Sequence, residues 1–295
     1  MPKPEPASRG VLLGFAAYGL WGVFPLYFQL LAPAGAWEIL AHRAVWTCLF
    51  AAAGVAVARQ WGNVKSVLAR PRVVATLAAG GVVVAANWGI YVWAVISDHV
   101  VDSSLGYYIN PLVTVALAVT VLHERLRRLQ IVALAIGALA VIVLVAAYRQ
   151  VPWVALGLAV TFAVYSLIKN RVGRYAQPLV SLSIETSVLV PFAIGFLIYL
   201  QTTGRSTFVN HGPLHMWLLV TTGIVTAVPL LFFAAAARRI PLSTLGLIQY
   251  ITPTAGLLIG VLIDHEAMRP ARWIGFALIW CALIALSLDA FRRRK

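Results

Sequence analysis

Ten runs of about twenty apolar residues take up most of this 295-residue chain, at about 11–31, 36–57, 74–96, 103–122, 129–147, 153–171, 179–200, 214–236, 242–263 and 271–290. A helix needs roughly 20 residues to cross the hydrocarbon of a bilayer. Within lipid every backbone amide and carbonyl must find a partner in the protein, so each run is expected to be a helix. The expected fold is therefore all-α integral membrane, with ten transmembrane helices. Composition points the same way. Apolar residues make up 61% of the chain and charged residues 11%, where a soluble domain carries roughly a quarter charged residues.

A net charge of +14 would suggest nucleic acid in a soluble protein. Here the cations sit in the short segments between apolar runs, and no basic patch with interleaved aromatics remains. Nucleic acid is not an expected partner; the lipid bilayer is. With the N-terminus placed in the cytoplasm, 18 of the 23 Lys and Arg residues fall on the inner side and four on the outer, with Arg43 inside a span. That asymmetry predicts cytoplasmic N- and C-termini. Lys3 and Arg9 precede an apolar stretch ending near Ala32-Pro33-Ala34, which resembles a signal-peptidase site. The stretch from Val11 to Leu31 is longer than the roughly 7–15 residues of a signal peptide's apolar region. It is read as an uncleaved first span. Cys48 and Cys281 lie far apart inside apolar runs and read as small packed residues.

The chain also repeats itself. Tyr108-Ile109-Asn110-Pro111 returns 142 positions later as Tyr250-Ile251-Thr252-Pro253, and His123-Glu124 returns as His265-Glu266 at the same interval. Leu13-Gly14 and Ala16 correspond to Leu156-Gly157 and Ala159, 143 positions apart. The expected organisation is two five-helix repeats, residues 1–148 and 149–295. Five spans is an odd number, so the second copy enters the membrane upside down, an arrangement characteristic of secondary transporters. The loops carrying Glu124 and Glu266 then face opposite compartments.

Candidate substrate-binding residues follow from the places where helices are interrupted. Pro111 and Pro253 lie within the fourth and ninth spans, where proline removes an amide donor, clashes with the preceding turn and kinks the helix. Freed backbone groups at that depth need protein, water or ligand. Tyr107, Tyr108 and Asn110 surround one kink; Gln249, Tyr250 and Thr252 surround the other. The third span adds Asn87 and Tyr91, four apart on one face, with Trp88 near mid-span. Trp21 in the first span and Tyr165 in the sixth complete the set. Simple helix packing is the plainer account of the prolines. A lipid-interface belt is the plainer account of Trp37, Trp61, Trp153 and Trp217.

Charge inside the spans is scarce. Arg43 and Glu185 each cost about 2.5–3.5 kcal/mol at the centre of a span on the insertion scale. Inversion puts them toward opposite faces, which argues against a direct pair and assigns both structural or gating roles outside the cavity. Glu38 and His42 are expected to help neutralise the Arg43 neighbourhood, and Lys169 to snorkel to the interface. His123-Glu124 starts like a zinc-protease motif, but Arg127 stands where the second histidine belongs. No metal site, nucleotide loop, cofactor or catalytic group is expected, and the chain does not read as an enzyme. Gly10–Gly14 and Gly256–Gly260 fit close helix packing.

Several segments together resemble the RarD-type branch of the EamA family, within the drug/metabolite transporter superfamily. They are Trp21-Gly22 with Pro25 and Tyr27-Phe28; Glu38-Ile39-Leu40 with His42-Arg43; and Asn87-Trp88 with Trp93-Ala94-Val95. Further along come Leu105-Gly106-Tyr107 with Ile109-Asn110-Pro111, Glu124-Arg125, and Ser243-Thr244-Leu245-Gly246 with Gln249-Tyr250 and Pro253. The resemblance covers essentially the whole chain. One departure is His123, where the family pattern has Gly. The resemblance implies two inverted five-helix repeats around a central cavity formed by the first, third, fourth, sixth, eighth and ninth helices. It also implies export or exchange of small metabolites or drugs by alternating access in the bacterial inner membrane, and it links the branch by name to chloramphenicol.

An aromatic and amide lining favours a neutral or zwitterionic amphipathic solute. Coupling to protons, to sodium or to neither stays open. An exchanger for phosphorylated or anionic metabolites would want two or more cations facing the cavity. A non-transport assembly factor is the alternative from another class.

Overall fold

The structure, a computed structural model, describes residues 7–96, 100–148 and 153–262, together with positions 273, 274, 277, 278, 280, 281 and 284. Those residues form helices α1 (Ala7–Gly22), α2 (Phe24–Gln29), α3 (Ala36–Val57), α4 (Trp61–Leu68), α5 (Pro71–Ile96), α6 (Val100–Leu122) and α7 (Arg128–Tyr148) in the first half. The second half holds α8 (Trp153–Val172), α9 (Pro178–Ser187), α10 (Val190–Thr202), α11 (Gly212–Ala237), α12 (Leu242–Ile248) and α13 (Ile251–Leu262). The described residues contain no strand. Among the described residues, four helices are long and apolar enough to cross a bilayer alone, and a fifth crossing follows if α9 and α10 count as one bent span.

Prolines explain where the other runs divide. A proline ring clashes with the carbonyl four residues earlier, so a helix tends to give way just upstream. α1 and α2 part at Val23, two residues before Pro25. α9 and α10 part at Val188–Leu189, just before Pro191, and bend by 50°. α12 and α13 part at Gln249–Tyr250, upstream of Pro253. Pro111, in contrast, lies inside an uninterrupted α6. The two matched prolines therefore do not produce matched breaks. α4 falls outside the ten apolar runs; it is a short helix between two cationic segments. Of the tenth run, only the seven positions above are described.

Lipid offers no hydrophobic drive to bring helices together, so close approach rests on small residues and directional bonds. Gly81 of α5 lies directly against the backbone of Glu185, and Gly223 of α11 against the backbone of Trp46. Gly10 packs on Arg239 and Ile240, and Gly14 on Ile248, as a close-packing pair should. At the centre, Phe233 meets Tyr18, Trp21, Phe162 and Tyr165 with ring centroids 5.5–6.1 Å apart. Such aromatic pairs add about 0.5–1.5 kcal/mol each beyond buried area. Cys48 is partly buried, but Cys281 is exposed and so is not the packed residue expected of it.

Glu124 closes a long-range link. Its carboxylate accepts hydrogen bonds from the Leu242 amide (2.8 Å), the Ser243 amide (3.0 Å) and the Ser243 hydroxyl (2.6 Å). The first turn of a helix has amides with no partner of their own, and the dipole there favours an anion. Glu124 thus caps α12 from across the bundle. The preceding residue, His123, has φ 54°, in the left-handed region that glycine enters without penalty. That is the physical reason for a Gly in the family pattern, and His123 takes up the same turn. Glu124→Ala is expected to cost about 1.5–3 kcal/mol, read as a lower unfolding midpoint in detergent, with Glu124→Gln in between. An unchanged midpoint for Glu124→Ala would exclude the cap.

Candidate functional site

The expected site residues fall into several groups. The first surrounds Arg43, which α3 carries two turns from its start at Ala36. Its guanidinium lies 4.5 Å from the Trp88 ring centroid, 5.3 Å from Phe28 and 6.0 Å from Phe24. Tyr91 and Tyr107 face each other edge-on, 6.1 Å apart, and both lie within electrostatic reach of Arg43. The Arg43 Nε donates to Thr226 Oγ1 of α11 at 3.0 Å. About two turns away on α11, the Leu218 carbonyl accepts from the Tyr27 hydroxyl (2.7 Å), which also bonds Thr221 (2.9 Å). Tyr107 belongs to this interior group yet keeps 36% of its surface open.

Sequence reasoning separated Arg43 from the cavity residues; the structure puts it among three of them. The long, rigid guanidinium reaches across to α5, and linear position alone does not show how far a side chain extends. Glu38, expected to help neutralise Arg43, is occupied elsewhere. It accepts from the Thr207 amide (2.7 Å), the Thr207 hydroxyl (3.0 Å) and the Ser206 hydroxyl (3.2 Å). His42 stacks on Phe208 at 4.6 Å. Beside it, a cavity of about 220 Å³ is lined by His42, Trp46, Leu197, Gln201, Ser206 and Phe208 among others. No expected site residue borders that cavity.

A second group lies where α6 meets the α12–α13 break. Thr114 donates weakly toward Asn110 Oδ1 (3.3 Å) and Gln249 Oε1 (3.5 Å), which brings the two expected amides to one hydroxyl. Gln249 Nε2 and the Tyr18 hydroxyl are buried near each other, and neither makes a hydrogen bond of good geometry among the described residues. Thr252 Oγ1 donates to the Tyr18 carbonyl at 2.9 Å. Tyr250 points elsewhere, its hydroxyl pressed onto Gly137 of α7 and without a hydrogen-bond partner among the described residues. Pro111 and Pro253 are buried within their helices. The Tyr108 side chain and the loop holding Glu266 are outside the described residues.

Asn87 spans to α8, donating to the Leu158 carbonyl (3.0 Å) and Thr161 Oγ1 (2.9 Å). Trp21 belongs to the packed aromatic centre. Trp37, Trp61, Trp153 and Trp217 are exposed, as a belt at lipid headgroups requires.

Sequence reasoning missed the third group. Lys169 and Glu185, 2% and 1% exposed, form an ion pair at 2.8 Å. Lys169 Nζ also donates to Ser181 Oγ (2.7 Å). Glu185 accepts from Ser181 (2.8 Å) and from the Tyr165 hydroxyl (3.1 Å). Lys169 therefore does not snorkel to the interface: an acceptor on the next helix holds it inside. The signal was present, since α8 and α9 are joined by a short turn and carry opposite charges on either side of it. Sidedness reasoning weighed Glu185 only against Arg43, and so passed over its hairpin neighbour.

Apolar helices with polar groups gathered in their interior define a multi-pass membrane protein, and its relatives are named as transporters. A protein named RarD from Streptomyces exfoliatus is 49% identical over 294 residues, 99% of this chain and 93% of that protein. An uncharacterized transporter of Vibrio cholerae is 40% identical, over 99% of this chain and 96% of its own length. Residues 151–288 match the model of the EamA-like transporter family. A solved protein structure aligns over 98% of this chain and 99% of its own, with a TM-score of 0.73 at 20% identity, a likeness of fold alone. The chain belongs to the EamA-like transporter family, in its RarD-type branch. It is a membrane transporter.

Proposed function

We propose that the protein is a secondary transporter that moves a small neutral or zwitterionic amphipathic solute by alternating access. The ten spans form two inverted halves, 1–148 and 149–295, in a bacterial inner membrane with both termini cytoplasmic. The observation that carries this reading is the reciprocity of the helix crossings. α3 packs on α11 while α9 packs on α5; α1 packs on α11 while α8 packs on α5. The glycines at two of those crossings, Gly81 and Gly223, are 142 positions apart, the repeat interval. Helices of one half thus lie chiefly against helices of the other. Rocking one half against the other would open an interior group to alternate sides. Trp88, Tyr91 and Tyr107 supply faces for an apolar solute there, and the half-satisfied amides of Asn110 and Gln249 supply hydrogen bonds.

An anion exchanger is favoured by one observation, the presence of Arg43 in the same group, but no second cation accompanies it among the described residues. Lys169 is neutralised by Glu185.

Counterflow of labelled solutes in proteoliposomes, across amino acids, aromatic acids and chloramphenicol, tests transport; at least one saturable flux is expected. Inversion is tested by His123→Cys and His265→Cys in a chain lacking Cys48 and Cys281. Impermeant maleimide should reach them from opposite compartments. Labelling from one side only, or no flux for any solute, would sink the corresponding half of the proposal.

A further inference from the structure

Arg43 is a buried cation to which the described residues offer no anion. It is 7% exposed. Its Nε is taken by Thr226, and its four other N–H groups have no acceptor among the described residues. Each carboxylate whose side chain is described has other partners: Glu38 at Ser206 and Thr207, Glu124 at Leu242 and Ser243, Glu185 at Lys169. Aromatic faces at Trp88, Phe28 and Phe24 partly compensate a charge taken out of water. They cannot accept a fork of N–H bonds. The contrast with Lys169 is instructive. The same bundle gives that cation a carboxylate and a hydroxyl and closes the site completely.

Resting on the transport reading above, we propose that Arg43 is the anchor for a carboxylate on the transported solute. A guanidinium presents paired N–H groups in a plane and binds a carboxylate bidentately. Tyr107 stands edge-on to Tyr91 and keeps part of its surface open, so the apolar part of the solute rests on those rings while its carboxylate meets Arg43. Within the neutral-or-zwitterionic class this selects the zwitterion. A phosphate dianion would want a second free cation, and none accompanies Arg43 among the described residues.

The test compares matched acids and amides on the purified full-length protein: L-phenylalanine with phenylalaninamide, and indole-3-acetate with indole-3-acetamide. Ligand binding is read by thermal shift, which rises with affinity, and transport by proteoliposome flux. Wild type is expected to bind at least one acid at least about tenfold more tightly than its amide, since a charge-assisted bond is lost. Arg43→Gln should erase that preference by weakening acid binding at least about tenfold more than amide binding. Arg43→Lys keeps the charge but loses the fork, and should weaken acid binding several-fold with the fold intact. Equal affinity for acid and amide in wild type, or a preference that survives in Arg43→Gln, overturns the anchor while transport stands. If neither member of any pair binds or moves, and chloramphenicol does not either, the transport reading falls and takes the anchor with it.

Discussion

Lys169→Met should be the most destabilising single substitution in the chain, lowering stability by about 3–5 kcal/mol. The substitution strips its cation from the Glu185 carboxylate, which is 1% exposed in the intact pair, leaving Ser181 and Tyr165 as its donors among the described residues. Taking a charge out of water costs several kcal/mol, and the pair tolerates that only because each ion neutralises the other. The double variant Lys169→Met with Glu185→Leu removes both charges and keeps the volume filled. It should recover most of the loss, because two apolar side chains replace two desolvated ions. Reversible unfolding in detergent measures all three proteins. If the double variant is no more stable than the single one, the pair does more than neutralise, and its worth lies in the hydrogen bonds through Ser181 and Tyr165.

Filling the closest helix crossings should produce the next largest effect. A Cβ on Gly81 would run into the Glu185 carbonyl, and one on Gly223 into the backbone of Trp46. Backbone cannot rotate aside as a side chain does, so the helices must separate. Overpacking of this kind costs about 1–3 kcal/mol and sometimes more. Gly81→Val and Gly223→Val are expected at or above the top of that range, with reduced monodisperse yield. Each should also slow any flux the wild type supports, since these crossings join the two proposed halves. Gly19 is the control: nothing lies within 4 Å of its added Cβ. Gly19→Ala should be neutral or stabilising by up to about 1 kcal/mol, through helix propensity alone. Similar losses at all three glycines would show that backbone flexibility, and not close approach, is what the glycines provide.

Much of the fold is legible along the chain because a helix in lipid is a local object. The run 36–57 coincides with α3, and 153–171 nearly so with α8, since length and polarity set those ends. The division near Pro25 follows from the same local rule. Pro191 and Pro111 show its limit. Both are prolines in apolar runs, yet one accompanies a 50° bend and the other lies within an unbroken helix. Which one breaks depends on neighbours that satisfy the freed carbonyls.

The site divides along similar lines. Polarity at unusual depth marked Trp88, Tyr91, Tyr107, Asn110 and Gln249 as candidates, and the structure gathers the first three near Arg43 and brings the last two to Thr114. That Tyr250 turns to α7 while its neighbour Gln249 turns to Thr114 was not readable along the chain. Both sit at the break between α12 and α13, where regular helix geometry does not fix side-chain direction, so a shared motif does not mean a shared direction.

Taken alone, the order of amino acids settles a lipid-embedded helical chain of the EamA type, because burial in hydrocarbon rewards composition over short stretches. Partnerships of charge were left to the tertiary arrangement. Arg43 finds Trp88 and Lys169 finds Glu185 through contacts between different helices. The energy of such a contact depends on distance in space, which no spacing along the chain encodes.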